Sequence, residues 1–148
     1  MNELATQAAN DTNTSTDRTA IKAEIDQLTS EINRIQSTTQ FNTQNLLDGK
    51  FTSKNLQIGS LKGQTIKISI SNMNAATLGV SGLTVDKNST AGVSMSKIQA
   101  AIDKVSTQRS NLGALQNRLE HTINNLDTTS ENTSAAESRI RDTDMAEE

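Results

Sequence analysis

The chain has no cysteine, no proline, no tryptophan and no tyrosine in its 148 residues. Without cysteine there is neither a disulfide framework nor a thiol nucleophile. Without proline, long helices meet no covalent interruption. Two phenylalanines are the only aromatic rings, and hydrophobic residues make up 32% of the chain, which favours thin helical packing over a thick core. No apolar run approaches the ~20 residues of a membrane span, and the N-terminus carries no charged-then-apolar leader, so neither a membrane partner nor a Sec signal is expected. A net charge of -3, with no basic clusters interleaved with aromatics, excludes strong steering toward nucleic acid.

What is present is helical periodicity. Read as one domain over 1–148, the chain opens with "MNELATQAAN", residues 1–10, where Met1, Ala5 and Ala8 share a face and the pattern starts without a cap, as at the end of a longer helix. A second helix is expected from Thr16 to Gln36, with Ile21, Ile25, Leu28, Ile32 and Ile35 in 4-3-4-3 spacing behind several candidate N-caps. The period then falls to two within a β-hairpin and loop region over 41–90. There "NLQIG" and "TIKISI" read as paired strands, and "LTV" at Leu83 to Val85 reads as a short third. After "DKNSTAGVS" as a loop and cap region, a long helix is expected from Ser94 to Ala136, with 137–148 as the start of a linker. At 1.5 Å per residue the long helix would measure ~60 Å. The fold class is therefore mainly α: an elongated antiparallel helical bundle, a rod, with a small β-hairpin region.

Two heptad rows run along the long helix. Ile98, Val105, Leu112, Leu119 and Leu126 form an aliphatic row, and Met95, Ile102, Arg109, Gln116 and Ile123 form its neighbour. Polar Arg109 and Gln116 in a buried seam would cost stability while fixing register, and Gly113 costs ~1 kcal/mol relative to alanine in a helix interior. All three are expected to serve packing against a partner in one alignment. Charges repeat as well: Asp17, Glu24 and Glu31 recur every seven residues on the second helix, and Lys97, Lys104 and Arg118 share one heptad position on the long one. Most such residues are ordinary solvated charge. Catalysis has no support, because His121 is the sole histidine and no glycine-framed serine accompanies it. The acidic end, with Asp142, Asp144, Glu147 and Glu148, lacks the spacing of a calcium loop. Neither enzyme activity nor a metal or cofactor is expected.

Four stretches, in order, carry a likeness: "MNELATQAAND", "AEIDQLTSEINRIQSTTQFNTQNLLDG", "RSNLGALQNRLEHTINNL" and "AESRIRDTDMAEE". Together they closely resemble bacterial flagellin, and the centre, from "LQIG" to "MNAATLGVSGLTV", is similar to short flagellins of the Gram-positive type. The resemblance implies a structural subunit of the flagellar filament: the outer-tube core segment, secreted and extracellular, with other flagellin subunits as partners. It also implies that family helices before and after this segment, used in export and polymerisation, are absent here.

A second partner comes with the resemblance. The flagellin-sensing Toll-like receptor of animals recognises this part of flagellins, and the matching positions are Leu4 in "ELATQ", Ile21 and Glu24 in "IKAEI", and Arg118 in "QNRL". The family's contacting arginine just upstream of the stretch matching Met1 is not in this chain. The competing reading is a soluble coiled-coil signalling or adhesion module sharing only the heptads. Such a module has no need of "TTQFN", "LLDG" or the hairpin signals.

Overall fold

The computed structural model describes residues 1–144, and Glu147 and Glu148 of the acidic end lie outside the described residues. The fold is mainly α with small antiparallel strand pairs, as expected. In chain order it comprises α1 (Asn2–Ala8), α2 (Ser15–Thr38), β1 (Gln40–Phe41), β2 (Gln44–Asn45), β3 (Lys54–Gln57), β4 (Thr65–Ile68), α3 (Ala75–Leu78) and α4 (Asn88–Asp144). The chain forms two compact units: Met1–Lys54 with Ile68–Ser110, and Asn55–Lys67 with α4 from Asn111 onward.

The first unit holds the core. Ala5 and Ala8 of α1, Ile21 and Ile25 of α2, and Ala91, Ile98 and Ala101 of α4 are buried in one cluster with Ala75, Leu78, Val80, Leu83 and Val85. Small alanines let α1 lie close, while the isoleucines supply volume. α2 starts in a capping box: the Thr14 hydroxyl accepts from the Asp17 amide, and the Asp17 carboxylate accepts from the Thr14 amide and hydroxyl. Those bonds, the side-chain one first, hold the Asp17 carboxyl below its ordinary value. The cap is thus fully formed above the ordinary carboxylate range and is lost as pH falls through the lowered value.

Beyond α2 the chain turns back at once. β1 and β2 pair antiparallel, Gln40 with Asn45 and Phe41 with Gln44. Their two-residue turn, Asn42 and Thr43, has positive φ at both positions, +48° and +61°, as a type I′ turn demands. β3 and β4 pair in a second two-stranded sheet, and Ile66 and Ile70 are buried with Ile68 half-buried, so the period of two is real.

Four differences from the sequence reading have identifiable causes. "LTV" is no strand: Leu83 and Val85 are buried from an irregular segment whose Thr84 carbonyl accepts from the Ser94 hydroxyl at 2.7 Å, in place of a ladder partner. α3, absent from the reading, is bounded by the Asn74 side chain accepting from the Thr77 amide at 2.7 Å and by Gly79 at φ +88°. α4 begins six residues earlier than Ser94, with the Thr90 hydroxyl accepting from the Lys87 amide at 3.0 Å and donating to the Lys87 carbonyl. It also continues through the expected linker to Asp144, giving 57 residues.

Candidate interaction surfaces

Among the described residues no group of three or more His, Cys, Asp or Glu is arranged to hold a metal, and no helix is long and apolar enough to cross a membrane. The candidate sites are therefore surfaces. Along the aliphatic row of α4, Ile98 is 3% exposed, whereas Val105 reaches 37% and Leu126 40%, with Leu112 and Leu119 half-buried. The neighbouring row is open: Ile102 is 45% exposed and Ile123 57%, and Arg109 and Gln116 are exposed. Arg109 and Gln116 thus lie on the surface of the isolated chain, not in an internal seam. A Cβ added at Gly113 would meet nothing within 4 Å. Its surroundings inside the chain do not require glycine.

The charge stripes separate into engaged and unengaged groups. Asp17 caps α2, and Glu31 is bound by the Arg34 guanidinium, whose hydrogen bonds hold its carboxyl below the ordinary value. Lys104 donates to the carbonyls of Thr77 and Leu78 at 3.0 and 3.3 Å, where a cation suits the exposed end of α3. Glu24, Lys97 and Arg118 are exposed and have no ion-pair partner among the described residues. Of the other two positions singled out, Ile21 is 6% exposed and belongs to the core, and Leu4 is half-buried against it.

Each unit carries a groove. In the first, about 370 Å³ opens between the start of α1, Ile32 of α2, Leu78 and Val80, and Ile98, Ile102 and Val105 of α4. The second unit has a larger groove, about 820 Å³, between the β3–β4 connection and one face of α4. Ile58, Ala114 and Leu126 give it apolar walls, and Arg118 and His121 are its cationic or titratable members. Periodicity alone gave no sign of this groove, because it brings residues 58–65 against 114–126. Arg18 was also missed. Its side chain, 14% exposed, donates to the carbonyls of Asp86 and Asn10 at 3.0 and 3.1 Å, tying the α1–α2 turn to the segment before α4.

Comparison with known proteins decides the family. The model of the bacterial flagellin N-terminal helical region matches residues 1–52, and that of the bacterial flagellin C-terminal helical region matches residues 95–148. A crystal structure of Bacillus cereus flagellin superposes with a TM-score of 0.71 at 32% identity, covering 84% of this chain and 72% of that one. The chain belongs to the bacterial flagellin family. Among curated flagellins, that of Halalkalibacterium halodurans is 45% identical over all of this chain. The flagellar filament core protein flaB2 of Brachyspira hyodysenteriae is 43% identical over 98% of it. The chain spans 55% and 56% of those two relatives' own lengths. In this flagellin family member, the "LLDG" and "TTQFN" signatures correspond to the turn at Gly49 and to the β1–β2 hairpin.

Proposed function

We propose that this chain is the core part of a structural subunit of the bacterial flagellar filament, acting outside the cell in motility, with other flagellin subunits as its partners and no catalytic role. The observation that carries the reading is whole-chain similarity to a flagellin and to a protein named for the filament core. Physical support comes from the α4 row of exposed aliphatics, which gives a helix surface suited to burial by neighbours. Arg109, Gly113 and Gln116 are proposed subunit contacts, the first and last because they are exposed, the glycine because the space beside it is open. The test replaces the matching segment of the Halalkalibacterium halodurans flagellin with residues 1–148. Filaments by electron microscopy and restored swimming are expected; a chimera that is exported and helical but never polymerises rejects the reading.

A second reading concerns recognition by the flagellin-sensing Toll-like receptor, through Leu4, Ile21, Glu24 and Arg118. It is favoured by Glu24 and Arg118, each exposed, charged and without an ion-pair partner among the described residues. Ile21 then contributes by holding α2 in place and Leu4 by its exposed part. Charges desolvated at an interface matter far more than rim charges. Glu24→Lys and Arg118→Glu, in the same chimera, should each lower affinity for the receptor ectodomain by about 30-fold or more. Unchanged affinity with unchanged helicity would leave both residues as solvated charges.

A further inference from the structure

We infer that Phe41, at the tip of the β1–β2 hairpin, is a knob that seats in the groove walled by Ile58, Ala114 and Leu126 of a second copy of this chain, with its ring against that copy's Arg118. This rests on the filament reading and names one contact within it. Phe41 is 73% exposed, the most exposed large hydrophobic residue among the described residues. Phe51, the other ring, has the Lys54 ammonium 5.9 Å from its centroid. The chain has just these two aromatic side chains, so leaving one in water on a hairpin tip calls for a reason.

The hairpin holds its knob stiffly. It follows α2 after a single residue, and its base is closed by the Leu46 amide donating to the Thr39 carbonyl at 3.0 Å. Its turn keeps Thr43, a β-branched residue, at φ +61°, a conformation such residues rarely adopt. Strained positions persist where surrounding structure over-determines them, and they concentrate at binding sites. A preorganised aromatic tip loses little entropy on docking.

The groove is roomy enough for the knob and suits it electrostatically. Its volume of about 820 Å³ falls in the range that accommodates whole small-molecule ligands, so a phenyl ring with its flanking turn fits. Arg118 is its one permanent cation, no carboxylate lines it, and a guanidinium over a ring face is a favourable pair. Knob and groove belong to different parts of the chain, so their union is heterologous wherever it is not reciprocated between the same two copies. Repeated from copy to copy, such contacts extend into open assemblies unless the rotation closes a ring. That is the behaviour a filament subunit needs.

The test uses the chimera that carries residues 1–148 in the Halalkalibacterium halodurans flagellin. A benzophenone amino acid placed at position 41 keeps an aromatic group there. In filaments mixed from light and 15N-labelled copies, it should cross-link one copy to residues 58–65 or 114–126 of another. Phe41→Ala should raise the critical concentration for polymerisation about 30-fold, as for an interface anchor, whereas Phe41→Tyr should keep it near the parent value. Arg118→Gln should give a smaller rise. An unchanged critical concentration for a folded Phe41→Ala, or cross-links falling only outside those segments, overturns the contact while leaving the filament reading intact. Absence of filaments from the unsubstituted chimera overturns both.

Discussion

Ile25→Ala is expected to remove about 2–5 kcal/mol of unfolding free energy, a large part of what a domain of this size possesses. Ile25 is 1% exposed and sits in the cluster where α1, α2, the 80–85 segment and α4 meet. The substitution removes three carbons from a site walled by several elements, so the cavity cannot be closed by the movement of one. Ile35, on the same helix, is 45% exposed and provides the control. Its replacement by alanine forfeits less buried area and leaves no enclosed cavity, so it should cost about 1 kcal/mol. Denaturant titration of the two variants against the parent measures the difference. Equal costs would mean that α2 is not held by the buried face described above.

That face was legible in the sequence because Ile21, Ile25 and Ile32 obey helical spacing, and local periodicity is what sequence displays directly. The period of two at Ile66, Ile68 and Ile70 was legible for the same reason. What escaped depends on contacts between distant residues. The alternation at Leu83 and Val85 imitates a strand, yet a hydroxyl ten residues along supplies the hydrogen bond to Thr84. α3 has only four residues, too short for periodicity, although Asn74 and Gly79 carried its boundary signals. A heptad row does not reveal how far along a helix the chain's own partner helices reach, so the exposure of Arg109 and Gln116 in the isolated chain was not legible. In α4 the row is well buried at Ile98 and already 37% exposed at Val105. Of the candidate residues, Glu24 and Arg118 are exposed, while the groove around Arg118 and the exposed side chain of Phe41 needed the strand pairs to be placed.

The turn in "LLDG" gives the sharper expectation. Gly49→Ala should destabilise the chain by about 2–5 kcal/mol, combining an unfavourable backbone conformation with a steric conflict. Gly49 has φ +82°, and a Cβ built on it would lie 2.9 Å from Asn72 Cβ and 3.5 Å from Asn72 Cα. The one conflicting atom, Asn72 Cβ, is fixed by its backbone, so no rotamer change relieves it, while Asn72 Cα at 3.5 Å is in ordinary contact. Nor can the segment withdraw freely, because the Met73 amide donates to the Leu47 carbonyl at 3.0 Å and the Lys50 amide to the Asp48 carboxylate at 2.9 Å. Gly79 separates the two contributions: its φ is +88°, but an added Cβ meets nothing within 4 Å. Gly79→Ala should therefore cost about 1–2 kcal/mol, the conformational part alone. Asn72→Gly removes the clashing carbon and also the acceptor of the Asn74 amide, so its own cost must be measured separately. In the double-mutant cycle, Gly49→Ala should cost less beside Asn72→Gly than in the parent, with a coupling of about 1–3 kcal/mol. Strict additivity, with Gly49→Ala no worse than Gly79→Ala, would show that the close approach of residues 49 and 72 does not constrain the turn.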